Sequence, residues 1–171
     1  YANGNWYTPS GLFGLPISTQ NISSLLLASF SYTQSDVVSG GKAACIGIVL
    51  RNDYDSTSGL FNNSPSINPV MEIEVCSWWS GIAKTGSLGN FTINSTYELC
   101  SQSASSSDNT SHWPTYVFVS STNTLSVASL DLMSFVQTID LNVTSLAGYY
   151  VTGVYFGFRI YSGHGNFTYS S

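Results

Sequence analysis

A side-chain period of two runs through most of this 171-residue chain, and it decides the fold class. ASFSYTQ, AACIGIVL, VMEIEVCSWW, NFTINSTYELC, TYVFVSS and YYVTGVYFGFRIY are rich in β-branched and aromatic residues, and clusters of Gly, Asn, Asp, Ser and Pro separate them. Successive side chains of a strand point to opposite faces, so such segments punctuated by turns predict an all-β sandwich or jelly roll. SVASLDLMSFVQTI is the exception. Val127, Leu130, Met133 or Ser134, and Val136 or Gln137 recur there at helical spacing, which predicts one short helix of about ten residues. SQSASSSDNTSHWP and RNDYDSTSGLFNNSPSINP read as polar loops.

Residues 1–17 differ from the rest and are read as an extended N-terminal arm, with 18–171 as one domain. The arm mixes Gly and Pro with Trp6, Tyr7, Leu12, Phe13 and Leu15. Two readings stand: a strand packed on its own sheet, or a donor strand that pairs with another copy of the chain.

Composition narrows the partners. With 8% charged residues and a net charge of -5, the chain has no basic face for nucleic acid or anionic lipid. No apolar run approaches the roughly 20 residues that cross a bilayer. The chain starts at Tyr1 and not Met, so a removed leader is expected. Asn-x-Ser/Thr triplets occur at Asn21, Asn62, Asn90, Asn94, Asn109, Asn142 and Asn166, a density that predicts N-linked glycans and an extracellular, cell-surface location. A surface built on hydroxyls, amides and sugars has few ion pairs to lose, so acid tolerance is expected.

The cysteines are Cys45, Cys76 and Cys100, an odd number without metal-site spacing. No metal or cofactor is expected. One disulfide and one buried thiol are, and Cys76 with Cys100 is the expected pair because each ends a candidate strand.

One constellation has the residue types for chemistry. In MEIEVC the alternation puts Glu72, Glu74 and Cys76 on one face and Met71, Ile73 and Val75 on the other, which belongs to the core. Two carboxylates followed by Trp78 and Trp79 have the makings of a sugar-binding floor, although paired acids beside aromatics more often form a solvated sheet face. Residues two apart on a strand are about 6.6–6.8 Å apart, within the inverting range of about 6.5–9.5 Å, yet both acids rise from one strand when inversion needs opposite faces of the sugar. Other candidates are weaker. His112 and His164 lie in turn-like segments, no G-x-S-x-G elbow occurs, and Asp53 and Asp55 lack the further aligned oxygens of a calcium site and read as turn caps.

PVMEIEVCSWWSGIAKTGS resembles the nucleophile strand of glycoside hydrolase family 12, with its pattern Y-E-[LIV]-M-[IV]-W-L-x-x-Y-G. GYYVTGVYFGFRIYSGHGNFTYSS resembles that family's closing strands around G-T-E-P-F-T-G, and SVASLDLMSFVQTI falls where the family has its helix. The resemblance implies a concanavalin-like jelly roll of two packed antiparallel sheets with a concave cleft. It puts Glu72 on the nucleophile position, Glu74 on the usual Met, Cys76 on the usual Trp and Arg159 on the acid/base glutamate. A guanidinium cannot donate a proton at relevant pH, so Glu72 and Arg159 are expected as a vestigial pair locked together across the cleft.

Three functions follow as expectations. The first is a secreted, glycosylated structural subunit of a cell-surface filament, a head-to-tail homopolymer joined through the N-terminal arm; its general features are similar to those of archaeal thread-type filaments. The alternatives are a family 12-type β-1,4-glucanase using Glu72, and a non-catalytic glycan-binding sandwich using Trp78, Trp79 and Trp113.

Overall fold

The computed structural model describes residues 16–21, 26–35, 42–58, 60–61, 70–81, 83–102, 114–124, 126–160 and 166–170. In chain order these form β1 (Ile17–Ser18), β2 (Leu27–Ser35), β3 (Lys42–Arg51), β4 (Tyr54–Asp55), β5 (Leu60–Phe61), β6 (Val70–Ser80), β7 (Ser87–Ile93), β8 (Ser95–Gln102), β9 (Thr115–Ser120), β10 (Ser126–Asp131), α1 (Leu132–Asn142), β11 (Tyr150–Ile160) and β12 (Asn166–Ser170). A seven-stranded sheet runs β1-β11-β3-β6-β9-β8-β7, a three-stranded sheet runs β10-β2-β12, and β4 and β5 make a small ribbon. The expected all-β sandwich is present. Its strands pair antiparallel except for β6 with β9, because the β7–β8 hairpin lies at the edge and the chain returns through β9 between β8 and β6.

The alternation read from the sequence sets the core. Ile46, Ile48 and Leu50 of β3, Met71, Ile73 and Val75 of β6, and Leu99 and Phe118 pack in one cluster with Met133, Phe135, Val136 and Ile139 of α1. Burying each such side chain stabilises by about 1.5–3 kcal/mol. Phe135 makes edge-to-face contacts with Tyr97 and with Phe118, both at 5.0 Å between ring centres, the arrangement that aromatic quadrupoles favour.

The helix starts later than its apolar spacing predicts. Ser126–Asp131 is a strand paired with β2, and only from Leu132 does the chain coil. Asp131 decides this: its carboxylate accepts the Met133 N–H at 3.1 Å and the Ser134 hydroxyl at 2.7 Å, capping the first turn. Val127 and Leu130 still reach the shared core, from a strand.

Among the described residues, β1 pairs with Tyr150 and Val151 of the eleven-residue β11. At the opposite end of the large sheet lies β7, exposed over most of its length. Residues 1–15, with Trp6, Tyr7, Leu12, Phe13 and Leu15, lie outside the described residues. None of the helices described is long and apolar enough to cross a membrane.

Candidate functional site

The face of the large sheet turned away from the core holds Glu72, Glu74, Cys76 and Trp79. Register aligns them in rows across the strands. One row runs Tyr155, Gly47, Glu74, Val117, Cys100. The next runs Gly157, Cys45, Cys76, Val119, Glu98.

Glu74 does not share an open face with Glu72 as the alternation suggested. It is 0% exposed, and the Tyr155 hydroxyl donates to its Oε1 at 3.3 Å. The Tyr155 ring lies directly over Gly47, where a built Cβ would fall inside the ring. A glycine in mid-strand is costly unless a close approach demands it, and here the aromatic lid does. Glu72 is only half-buried, in the row Gly153, Val49, Glu72, Thr115.

The expected Cys76–Cys100 disulfide is not formed. Cys76 is bonded to Cys45, its direct neighbour on the adjacent strand, with Cα atoms 4.0 Å apart. Cys100 is two strands away from β6 with β9 between, about 9.5 Å at the usual strand spacing and beyond the roughly 7 Å that a disulfide spans. It is a buried free thiol; burial, and secondarily the Glu98 charge, raise its pKa above the ordinary value. Sγ atoms of Cys45 and Cys76 and a carboxylate oxygen of Glu74 lie within 4.8 Å of one another. Bonded as a disulfide, the two sulfurs offer no thiolate to a metal ion.

The two tryptophans do not form a stacking floor. A register shift in β6 inserts Ser77 as an extra residue between the pairs Cys45–Cys76 and Ala44–Trp78. Beyond it Trp78 turns to the core side, where it packs on the main cluster. Trp79 stays on the outer face but is 8% exposed, enclosed with Ala43, Cys45, Cys76, Val117 and Val119. Its backbone N–H donates to Asn123 Oδ1 at 2.9 Å.

Arg159 pairs with Ala43, in the row of Trp79. The row of Glu72 meets β11 at Gly153, six residues earlier, or about 20 Å along the strand. The expected Glu72–Arg159 lock is therefore ruled out by register. Moved by two residues, the family pattern sets Glu74, Val75 and Trp78 on its E, [LIV] and W. Tyr155 is then the side chain that meets the carboxylate.

Other described acids are engaged elsewhere. Arg51 grips both oxygens of Asp53 at 2.8 Å, Asp55 accepts the Thr57 N–H at 2.8 Å as a turn cap, and Lys84 pairs with Glu98 at 2.7 Å. Asp131 caps α1, and Asp140 accepts the Leu146 N–H. In its row across β3 and β11, Glu74 faces Gly47 and Tyr155. Of the sequon asparagines, Asn21, Asn90, Asn94 and Asn142 are exposed, and Asn166 lies on β12. Asn62, Asn109, Trp113, His112 and His164 fall outside the described residues.

No protein-family model matches the chain, and no curated protein does. Solved structures share its fold. A native family 12 xyloglucanase from Bacillus licheniformis superposes with a TM-score of 0.69 at 18% identity, covering 92% of this chain and 66% of the other. The endoglucanase Cel12A from Rhodothermus marinus gives 0.63 at 17% identity, covering 92% and 66%. The endo-1,4-β-glucanase CelB2 gives 0.66 at 18% identity, covering 98% and 72%. The chain thus has the jelly-roll fold of family 12 glycoside hydrolases and spans just under two thirds of the length of the first two.

Proposed function

We propose that this chain is a non-hydrolysing protein built on the family 12 sandwich, exported as a glycoprotein and used as a structural subunit at the cell surface. One observation carries the non-hydrolysing part: the carboxylate that best fits the family's nucleophile pattern, Glu74, is fully buried beneath Tyr155. A retaining glycosidase needs two carboxyl groups about 5–5.5 Å apart with the sugar between them. Here a tyrosine and a glycine occupy the positions across from Glu74, and a disulfide fills the next row. Closure of Trp79 within its cluster weighs against a glycan platform on the same face.

The test is incubation of the protein with soluble β-glucan, carboxymethylcellulose and xyloglucan, counting reducing ends. None above buffer is expected. Hydrolysis that Glu72→Gln or Glu74→Gln abolishes would establish the glucanase alternative.

Self-association through the outer side of β11 is the route this reading favours: a strand laid along Gly153–Ile160 would extend the large sheet by about eight residues. The N-terminal arm, with Leu12, Phe13 and Leu15, has the length and apolar content for a donor from a neighbouring copy. Head-to-tail addition of this kind does not close, so it builds a filament. Electron microscopy of the protein without residues 1–15 checks this: filaments that persist exclude the arm as donor.

A further inference from the structure

Among the described residues β7 is the last strand of the large sheet, at the end away from β11, and its own sequence lacks the devices that keep a strand from pairing with other chains. Its sequence SLGNFTI holds no charge and no proline, and Leu88 is 44% exposed. Its only irregularity is a register shift beside Gly89, at φ 118°. An uncharged open edge is a template for association.

What β7 does carry is a pair of glycosylation acceptors. Asn90-Phe91-Thr92 lies within the strand and Asn94-Ser95-Thr96 spans the turn into β8. Asn90, Thr92, Asn94 and Thr96 are all exposed, so the acceptor amide and the hydroxyl residue of each triplet face solvent. Phe91 and Ile93 turn to the core, which leaves Asn90 and Thr92 on the outer face. Asn94 sits at φ 60°, the left-handed region that Asn tolerates in turns. β11, by contrast, contains no such triplet in Tyr150–Ile160.

We propose that N-linked glycans on Asn90 and Asn94 close the β7 edge against strand addition. The inference rests on the export reading above, because the chain must meet a lipid-linked oligosaccharide. In the transfer the asparagine amide nitrogen bonds to the anomeric carbon of the first sugar. The bond from that carbon to the diphosphate oxygen breaks, the lipid diphosphate leaves, and the amide loses a proton. The solvated sugars, rooted on the outer face at Asn90 and at the turn at Asn94, then obstruct the approach of an incoming strand, which must lie about 4.8 Å from β7.

The test uses the full chain made in a host with N-glycosylation, as wild type, Asn90→Gln/Asn94→Gln and Asn142→Gln, followed by glycopeptide mass spectrometry and light scattering. Sugar at Asn90 and Asn94 is expected, with the double variant associating at about tenfold lower concentration than wild type and Asn142→Gln unchanged. Sugar at Asn21 or Asn142 with none at Asn90 and Asn94 would overturn the inference and leave export standing. No sugar at any sequon would overturn export and the inference together. A double variant that scatters no more than Asn142→Gln would show that these glycans do not guard the edge.

Discussion

The hydroxyl of Tyr155 donates to Oε1 of Glu74 at 3.3 Å, and both residues are buried on the sheet face that forms the open cleft expected from the family resemblance. A polar contact in such a setting weighs more than one in water, because a buried acceptor robbed of its donor bears its full desolvation cost. Tyr155→Phe keeps the ring and removes the donor, so it should lower unfolding free energy by about 1–3 kcal/mol. Urea unfolding measures this. A loss below about 0.3 kcal/mol would mean the contact contributes nothing to the seal.

Gly47 is the other half of that closure. Gly47→Ala puts a methyl into the Tyr155 ring and should cost about 1–3 kcal/mol by overpacking. Tyr155→Ala removes the obstacle, so in the double variant the alanine at 47 should cost nearly nothing. A double-mutant cycle showing simple additivity would place the Tyr155 ring elsewhere.

Thiol chemistry separates the cysteines. The Cys45–Cys76 bond and the buried Cys100, its pKa raised by desolvation, predict almost no reaction with a thiol reagent in the native state near neutral pH. One thiol should react after unfolding without reductant. Cys45→Ala/Cys76→Ala should cost about 2–4 kcal/mol of stability, whereas Cys100→Ala should leave the peptide map of the disulfide unchanged. A Cys76–Cys100 peptide in that map contradicts the register.

Two ion pairs join described residues, Arg51–Asp53 and Lys84–Glu98. The hydrogen bond from Lys84, aided by Ser87, lowers the Glu98 pKa below its ordinary 4.5. A lowered folded-state pKa gives stability that is present above the unfolded value and lost as pH falls through the folded one. The contribution of Glu98 should therefore hold from neutrality to about pH 4.5 and fade below it. Urea midpoints at pH 7, 5 and 3 should show a shallow decline only at the acid end, and Lys84→Met should reduce that decline. An equal or steeper decline in the variant contradicts the pairing.

The sandwich was legible because alternation is local: Ile46, Ile48, Met71, Ile73 and Val75 announce a buried face whatever their partners are. Register was not. The Cys45–Cys76 bond depends on which residue of β3 faces which of β6, and nothing in either strand alone specifies it. Ser77, one extra residue, reverses the faces of Trp78 and Trp79, so a sugar floor read from spacing became a core contact and a closed cluster. The helix boundary turned on the carboxylate of Asp131, a cap that apolar periodicity does not register. Placing Glu72 and Arg159 as partners failed for the same reason as the disulfide, since rows across β11, β3 and β6 emerge only on pairing.

The sealing of Glu74 is tested most directly by covalent trapping. An activated 2-deoxy-2-fluoro β-glucoside or cellobioside gives a retaining glycosidase a long-lived glycosyl adduct on its nucleophile, visible as an intact-mass increase. After prolonged incubation with excess reagent, the wild-type mass should be unchanged. An adduct that maps to Glu74 or Glu72 would mean the carboxylate is open to a sugar, and would contradict a non-hydrolysing scaffold.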